Sequence, residues 1–490
     1  MKKLIRFTIV ILVLTIPCRL FAWPGMPTPA LHVEGRYLKD PCGNKVLLHG
    51  VAMTPSPWFN GCSLGTCRWN NYDVNGCLTY NNAVMDKLTN VSEGWYLNYI
   101  RLHIDPYWSN NGQSTGENDI SKFDFNRFTA AVDNVIIPLI EHARSRGMYV
   151  ILRPPGVCPD KIDTNDAYNK YLLIVWSYLS KHPKLKNANN VMFELANEPI
   201  QILGTDGVYA SGTQAAADKL KMFFQPIVDS IRANDANNVI WIPGLGWQSQ
   251  YSGLANNPIR GTNVGYAVHI YPGYWGQDNN DPTKFRSNWN KNIKPIADIA
   301  PVAVTEIDWG PSQYPVWGKG GVTGTAGQWG FGANFKMLAD ESGNVSWNLL
   351  APEDLIDKGD PLGGIAFNND PEACANPSYK WFKEYSSSNL PAATCSGDSV
   401  VTAVAGIPGS SPTIQIYPNP SATGHFNIFI SGLNGQRFSL SIVNAAGAKI
   451  YEKEGLKSGN NYLAAALRKG MYVLQLKSGN NSFTRKLVVQ

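Results

Sequence analysis

Two glutamates stand where strands should end. In Val191-Met-Phe-Glu-Leu-Ala-Asn-Glu-Pro199 an apolar run closes on Asn197-Glu198-Pro199, and Val302-Ala-Val-Thr-Glu-Ile307 carries Glu306 among apolar neighbours. A pair of carboxyls can cleave a glycosidic bond: one protonates the leaving oxygen, the other attacks the sugar or activates water. Apolar neighbours disfavour the ionised form, so the setting of Glu306 is one in which a carboxyl could be kept protonated near neutral pH. Taken singly, each glutamate reads more readily as a helix cap or an ion-pair partner. The elements that position them decide.

Eight short apolar runs read as strands: Val46–Met53, Tyr99–Ile104, Tyr149–Arg153, Val191–Leu195, Val239–Ile242, Gly265–Ile270, Val302–Ile307 and Val345–Leu349. Helical patterns fill several gaps. Phe128–Arg146 spaces Ala131, Val135, Ile136, Leu139 and His142 at the helical period, with Gly147 as a stop and Pro138 as an expected kink. Ala167–Leu179 and Ala215–Ile231 read the same way. Eight strands alternating with helices predict an α/β fold, a (β/α)8 TIM barrel, whose active sites lie at the C-terminal strand ends. Thr54–Tyr80 and Pro106–Ser121 are long loops on that rim.

The 490-residue chain is 44 % hydrophobic, enough for a large core, and only 16 % charged. A net charge of +5 without a basic stripe excludes nucleic acid as a partner. Lys2, Lys3 and Arg6 precede an apolar run from Phe7 to Pro17, too short to span a bilayer, and Leu20-Phe21-Ala22 offers a cleavage site. Residues 1–22 therefore read as a secretory signal peptide, with the mature chain starting at Trp23. Seven cysteines remain, an odd number, with Cys62–Cys67 and Cys374–Cys395 as the local pairs expected. No HExxH or CxxC spacing marks a zinc or haem site. Gly61-Cys-Ser-Leu-Gly65 fits the nucleophile motif of a serine esterase around Ser63, but in a Cys-rich loop without the strand and helix that motif needs.

Residues 396–412 have a linker composition. From 413 to 490 the pattern becomes short alternating strands separated by Asn-Gly and Ser-Gly-Asn turns, which predicts a small all-β sandwich.

The ordered set of motifs over residues 45–385 resembles glycoside hydrolase family 5, the cellulase family. The resemblance implies a retaining double displacement with Glu198 as acid/base and Glu306 as nucleophile, needing no metal or organic cofactor. It further implies that Asn197 bonds the sugar 2-hydroxyl and that Arg101 holds Glu306 ionised. His269 then belongs to the acid/base network, Tyr271 donates to Glu306, and Trp347 stacks under the sugar. The family usually carries a His after strand three. Here that strand ends Leu152-Arg-Pro-Pro-Gly156, and His103, with Arg153 as a further candidate, takes its place as an expectation. Trp58, Trp108, Trp247, Trp275 and Trp309 follow strand ends and could form outer subsites of an open cleft.

Residues 413–490 resemble the sorting domain of the type IX secretion system of Bacteroidota, through Tyr417-Pro-Asn-Pro420, Gly447, Gly470-Met-Tyr-Val-Leu474 and Lys486-Leu-Val-Val489. A carbohydrate-binding module is the competing reading, but this segment has no Trp. Together these resemblances imply a secreted, monomeric endo-β-1,4-glucanase at the cell surface or outside it, with a β-1,4-linked polysaccharide and the secretion machinery as partners. The alternatives are an endo-β-1,4-mannanase, and a polysaccharide-binding surface protein that keeps the barrel without the activity.

Overall fold

A computed structural model describes residues 28–56, 73–90, 95, 97–110, 119–271, 281–307 and 331–350, and, beyond them, 413–417, 421, 425–431, 438–444, 448–456, 459–464, 467–478 and 481–489. The chain divides into two compact units, 1–395 and 396–490.

The first unit is built on eight parallel strands: β1 (His49–Met53), β2 (Tyr99–His103), β3 (Tyr149–Arg153), β4 (Val191–Glu194), β5 (Ile240–Pro243), β6 (Val264–Ile270), β7 (Val302–Ile307) and β8 (Val345–Leu349). They follow chain order around a closed barrel, and β8 pairs with β1. Every expected strand is present, to within three residues at its ends. Both faces of these strands are buried, which explains their near-continuous apolar runs. Outside them pack α1 (Val74–Leu88), α2 (Phe125–Ala131), α3 (Ile137–Ser145), α4 (Ala167–Lys181), α5 (Gln214–Ala233), α6 (Pro282–Asn292) and α7 (Phe331–Ser342), among shorter turns. Asp73, Asp166 and Asp281 cap α1, α4 and α6 by accepting free N–H groups of the first turn.

The helix expected over Phe128–Arg146 begins three residues earlier and is interrupted. A π-helical stretch, Val132–Ile136, separates α2 from α3 just ahead of Pro138. Pro138 has no N–H for the carbonyl of Asn134, and its ring crowds that carbonyl. A widened turn accommodates both faults where a regular helix would not.

Side chains two apart on a strand share a face, so the barrel interior is layered. Tyr99, Tyr149, Met192, Trp241, Ala267 and Ala303 form an apolar floor. Gly265 makes room for that floor, because a Cβ there would lie 2.4 Å from the Trp241 ring. Two residues further along, the same faces carry Arg101, Ile151, Glu194, Pro243, His269 and Thr305. Strand β7 departs from strict alternation. Val268 pairs with Val304 but His269 pairs with Glu306, and on the other side Val304 and Ile307 face Trp347 and Leu349. The one extra residue is a bulge that lets Thr305 and its neighbour Glu306 both serve the interior.

The second unit contains β9 (Thr413–Tyr417), β10 (His425–Ser431), β11 (Phe438–Asn444), β12 (Lys449–Leu456), β13 (Gly459–Ala464), β14 (Gly470–Ser478) and β15 (Asn481–Val489). They form two antiparallel sheets, β9-β10-β13 and β12-β11-β14-β15. Phe426, Ile428 and Leu463 of the first share one core with Phe438, Leu440, Ile442, Leu474, Leu476 and Leu487 of the second. That is the all-β sandwich the alternation predicts.

Candidate active site

The polar layer above the barrel floor is organised by Arg101. Its Nε and Nη2 donate to the two oxygens of Glu194 at 2.6 and 3.0 Å, its Nη2 also to Asn197 Oδ1 at 2.6 Å, and its Nη1 to Glu306 Oε1 at 2.5 Å. Tyr271 OH donates to the other oxygen of Glu306 at 2.7 Å. The His269 Nδ1 lies 3.0 Å from Glu198 Oε1 and 3.4 Å from Glu306 Oε2, between the two carboxylates. Glu198, Glu306, Arg101, Asn197, His269 and Tyr271 are thus brought together from the ends of β2, β4, β6 and β7.

These contacts fix the charges. Burial alone would raise the Glu306 pKa. The charges of His269, Arg101 and Arg153 and the Tyr271 hydrogen bond outweigh it and bring it down to about 2. Glu306 is therefore held ionised, which corrects the expectation drawn from its apolar strand neighbours. Val302, Val304 and Ile307 pack into the cluster that holds the helix residues, while the carboxylate points at a guanidinium. Glu194 is fully buried, which would also raise its pKa, but Arg101 lowers it. The Glu198 side chain is about a quarter exposed, at 23 %. Its backbone is left-handed, φ 54°.

His103 is buried on the same face of β2 as Arg101. Its Nδ1 lies 2.7 Å from Arg153 Nη2. Arg153 also donates to the Gly156 carbonyl. A guanidinium only donates, so Nδ1 must accept and the proton sits on Nε2. Burial, then Arg153 and Arg101, push the His103 pKa well down, and the ring is neutral. The Nε2 is buried without a hydrogen-bond partner among the described residues.

Trp347 is not brought to the site, which corrects the expected stacking. Ser346 and Asn348 take the inward positions of β8, bonding Leu48 N and the Tyr99 hydroxyl. Alternation turns Trp347 outward, where it is buried edge-on to Phe335 of α7 at 6.4 Å. Trp108 is likewise buried, its indole N–H donating to the Pro55 carbonyl. Trp247 is 47 % exposed. Trp58, Trp275, Trp309 and Ser63 lie outside the described residues, as do the cysteines of both expected local pairs. Cys42 is disulfide-bonded, and Cys77 and Cys158 are free thiols.

Sequence reasoning missed Glu194, Thr305 and Gln248. Thr305 Oγ1 donates to Glu194 Oε1 at 2.9 Å, and Gln248 Nε2 donates to the same oxygen at 3.1 Å. A signal existed for Glu194: a glutamate inside a buried strand needs a cation, and Arg101 is a strand arginine with the same need. Among the described residues, one group has donor atoms converging as a metal site would, Glu198, His269 and Glu306, all within 4.8 Å. Those atoms already engage one another, Arg101 and Tyr271.

A closed barrel carrying two carboxylates at the ends of its fourth and seventh strands, one of them fixed by a buried arginine, is the framework of a barrel glycoside hydrolase. The family profile described as cellulase (glycosyl hydrolase family 5) matches residues 60–347. The chain belongs to that family. Residues 415–490 match the secretion system C-terminal sorting domain. Endoglucanase CelA of Streptomyces lividans is 24 % identical over 291 residues, 58 % of this chain and 50 % of the relative. Endoglucanase E-5 of Thermobifida fusca is 26 % identical over 300 residues, again 58 % of this chain and 50 % of the relative. The chain thus spans about half the length of these relatives. Among solved structures, a β-glucanase of Saccharophagus degradans in complex with cellotetraose shares the fold, with TM-score 0.50, 19 % identity, and coverage of 73 % of this chain and 92 % of that one.

Proposed function

We propose that this protein is an exported endo-β-1,4-glucanase that works by double displacement with retention. The observation that carries this reading is the placement of the two carboxylates. An oxygen of Glu198 lies within 4.8 Å of one of Glu306. Retaining enzymes hold their carboxyls about 5–5.5 Å apart, whereas inversion needs about 6.5–9.5 Å for an intervening water. Glu306, ionised by Arg101, attacks the anomeric carbon. Glu198, beside His269, gives its proton to the leaving oxygen and then takes one from the water that releases the glycosyl-enzyme. Asn197 has its oxygen turned to Arg101, which leaves its N–H groups for the sugar 2-hydroxyl. His103, with its proton on Nε2, donates to another hydroxyl. This chemistry asks for no metal or organic cofactor.

The substrate reading rests on the relatives named endoglucanase, and the export reading on the sorting-domain match with the N-terminal signal pattern. In this reading the signal peptide is removed, a type IX machinery takes the C-terminal unit, and the catalytic unit acts as a monomer outside the cell or on its surface. The test is reducing-sugar release from carboxymethyl cellulose and from mannan, beside a Glu306→Gln variant. Release from the first substrate that vanishes in the variant supports glucanase and nucleophile together. Release chiefly from mannan would replace the substrate and keep the mechanism. A folded protein that binds cellulose and releases nothing would overturn the enzymatic reading.

A further inference from the structure

Three successive residues after β5 are left-handed: Gly246, Trp247 and Gln248, with φ of 60°, 55° and 58°. Two of them are not glycine, and such a run persists only where its surroundings over-determine it. The surroundings are the segment that follows Glu198. Gly246 N–H donates to the Ile200 carbonyl and Trp247 N–H to that of Pro199, both at 3.1 Å. The fully buried Gln248 side chain completes the clasp. Its Oε1 accepts from the Glu198 N–H at 2.7 Å, and its Nε2 donates to Glu194 Oε1 at 3.1 Å and to the Ala267 carbonyl at 3.2 Å. Glu198, itself left-handed, is thereby tied to Glu194, which fixes Arg101 and through it Glu306.

We propose that Gln248 is a positioning residue for the proton-transfer step, holding the Glu198 backbone in the one conformation that aims its carboxyl at the leaving oxygen while setting its distance from Glu306. This rests on the assignment of Glu198 as the acid. In that step a Glu306 oxygen bonds to the anomeric carbon, the glycosidic C–O bond breaks with its electron pair on the departing oxygen, and the Glu198 proton moves to that oxygen. Gln248 touches none of these atoms.

The test uses the full chain and reads kcat/KM, which reports the first step alone, on two aryl β-cellobiosides. A dinitrophenolate leaves without a proton; a phenolate needs one. In Gln248→Met, of similar shape but without the amide, the phenyl substrate should lose about tenfold or more while the dinitrophenyl substrate stays within about twofold. Glu198→Ala is the control: unless it shows the split, the assignment of Glu198 fails, whatever Gln248 does. With that control in place, an equal loss on both substrates or no loss on either overturns the proposal. Should the methionine variant not fold, Gln248→Asn, too short to reach Glu198, is read in its place.

Discussion

Arg101 and Glu194 meet fork to fork, Nε on Oε2 at 2.6 Å and Nη2 on Oε1 at 3.0 Å, with almost no exposure of either side chain. The pair fills the barrel interior just above the floor of Tyr99 and Trp241 and leaves Nη1 of the guanidinium to Glu306. A buried ion pair of this kind is costly to break, because the surviving charge has no water to turn to.

Replacing Glu194 by Gln should therefore hurt in two ways. Stability should fall by about 3–5 kcal/mol, since Arg101 keeps its charge and loses half its compensation. Activity should fall as well, although Glu194 is shielded from substrate, because Arg101 is then free to shift away from Glu306. Urea unfolding and kcat/KM on carboxymethyl cellulose measure the two effects. Unchanged turnover in a destabilised variant would show that Arg101 needs no fixing.

Acid should weaken the fold in two stages. The His103 pKa lies below its ordinary value of about 6.5, because of burial, Arg153 and Arg101, so the unfolded chain takes up that proton first. Stability is whole above that pH and declines as pH falls below it. Glu194 and Glu306 have lowered pKa values, Glu306 at about 2, despite their burial. Their contribution is present above about 4.3 and is lost as pH falls from there, for Glu306 towards about 2. Melting temperature followed from pH 8 to 3 should show a shallow decline, then a steep one. His103→Gln should remove the shallow stage alone, and its persistence would exclude His103 as the cause.

The two tryptophans on opposite sides of the β-strand alternation should separate cleanly. Trp347→Ala should cost about 3–5 kcal/mol of stability, the price of a large core cavity against Phe335, and leave KM for cello-oligosaccharides unchanged. Trp247→Ala, at an exposed position beside the Glu198 loop, should leave stability within about 0.5 kcal/mol and raise KM. The opposite pattern would return the stacking platform to Trp347.

Much of this was legible in the chain. The eight apolar runs give the barrel because each strand is buried on both faces, and the Asn-Glu-Pro and Thr-Glu-Ile endings locate the carboxylates at its rim. Three things were not legible. The bulge on β7 depends on pairing with β6 and β8, so nothing local shows that Thr305 and Glu306 both face inward. The parity of Trp347 is a one-residue matter of register, and a motif match does not carry it. The strand neighbours of Glu306 mislead about its charge state, because its partner, Arg101, lies 205 positions away, and only the family resemblance paired the two.

Strand three poses the last question, since Arg153 and two prolines stand where the family usually has a His. In the proposed reading the Arg153–His103 contact is a physical substitute: the guanidinium fixes the imidazole tautomer and leaves the proton on Nε2, which has no hydrogen-bond partner among the described residues. If so, Arg153→Met should act through His103. Freed of a cation and of a fixed tautomer, the ring should titrate at a higher pH than in the parent, visible in its NMR shifts. If His103 binds substrate as proposed, KM for cello-oligosaccharides should rise more than kcat falls, because Glu198 and Glu306 stay in place. Glu306 also loses one of the positive charges that lower its pKa, so the acid limb of kcat/KM should move to higher pH. His103→Ala should reproduce the KM effect, and the double variant should add little to either. Additive losses would mean that the two residues serve separate purposes, and an unchanged KM in His103→Ala would remove it from the substrate site.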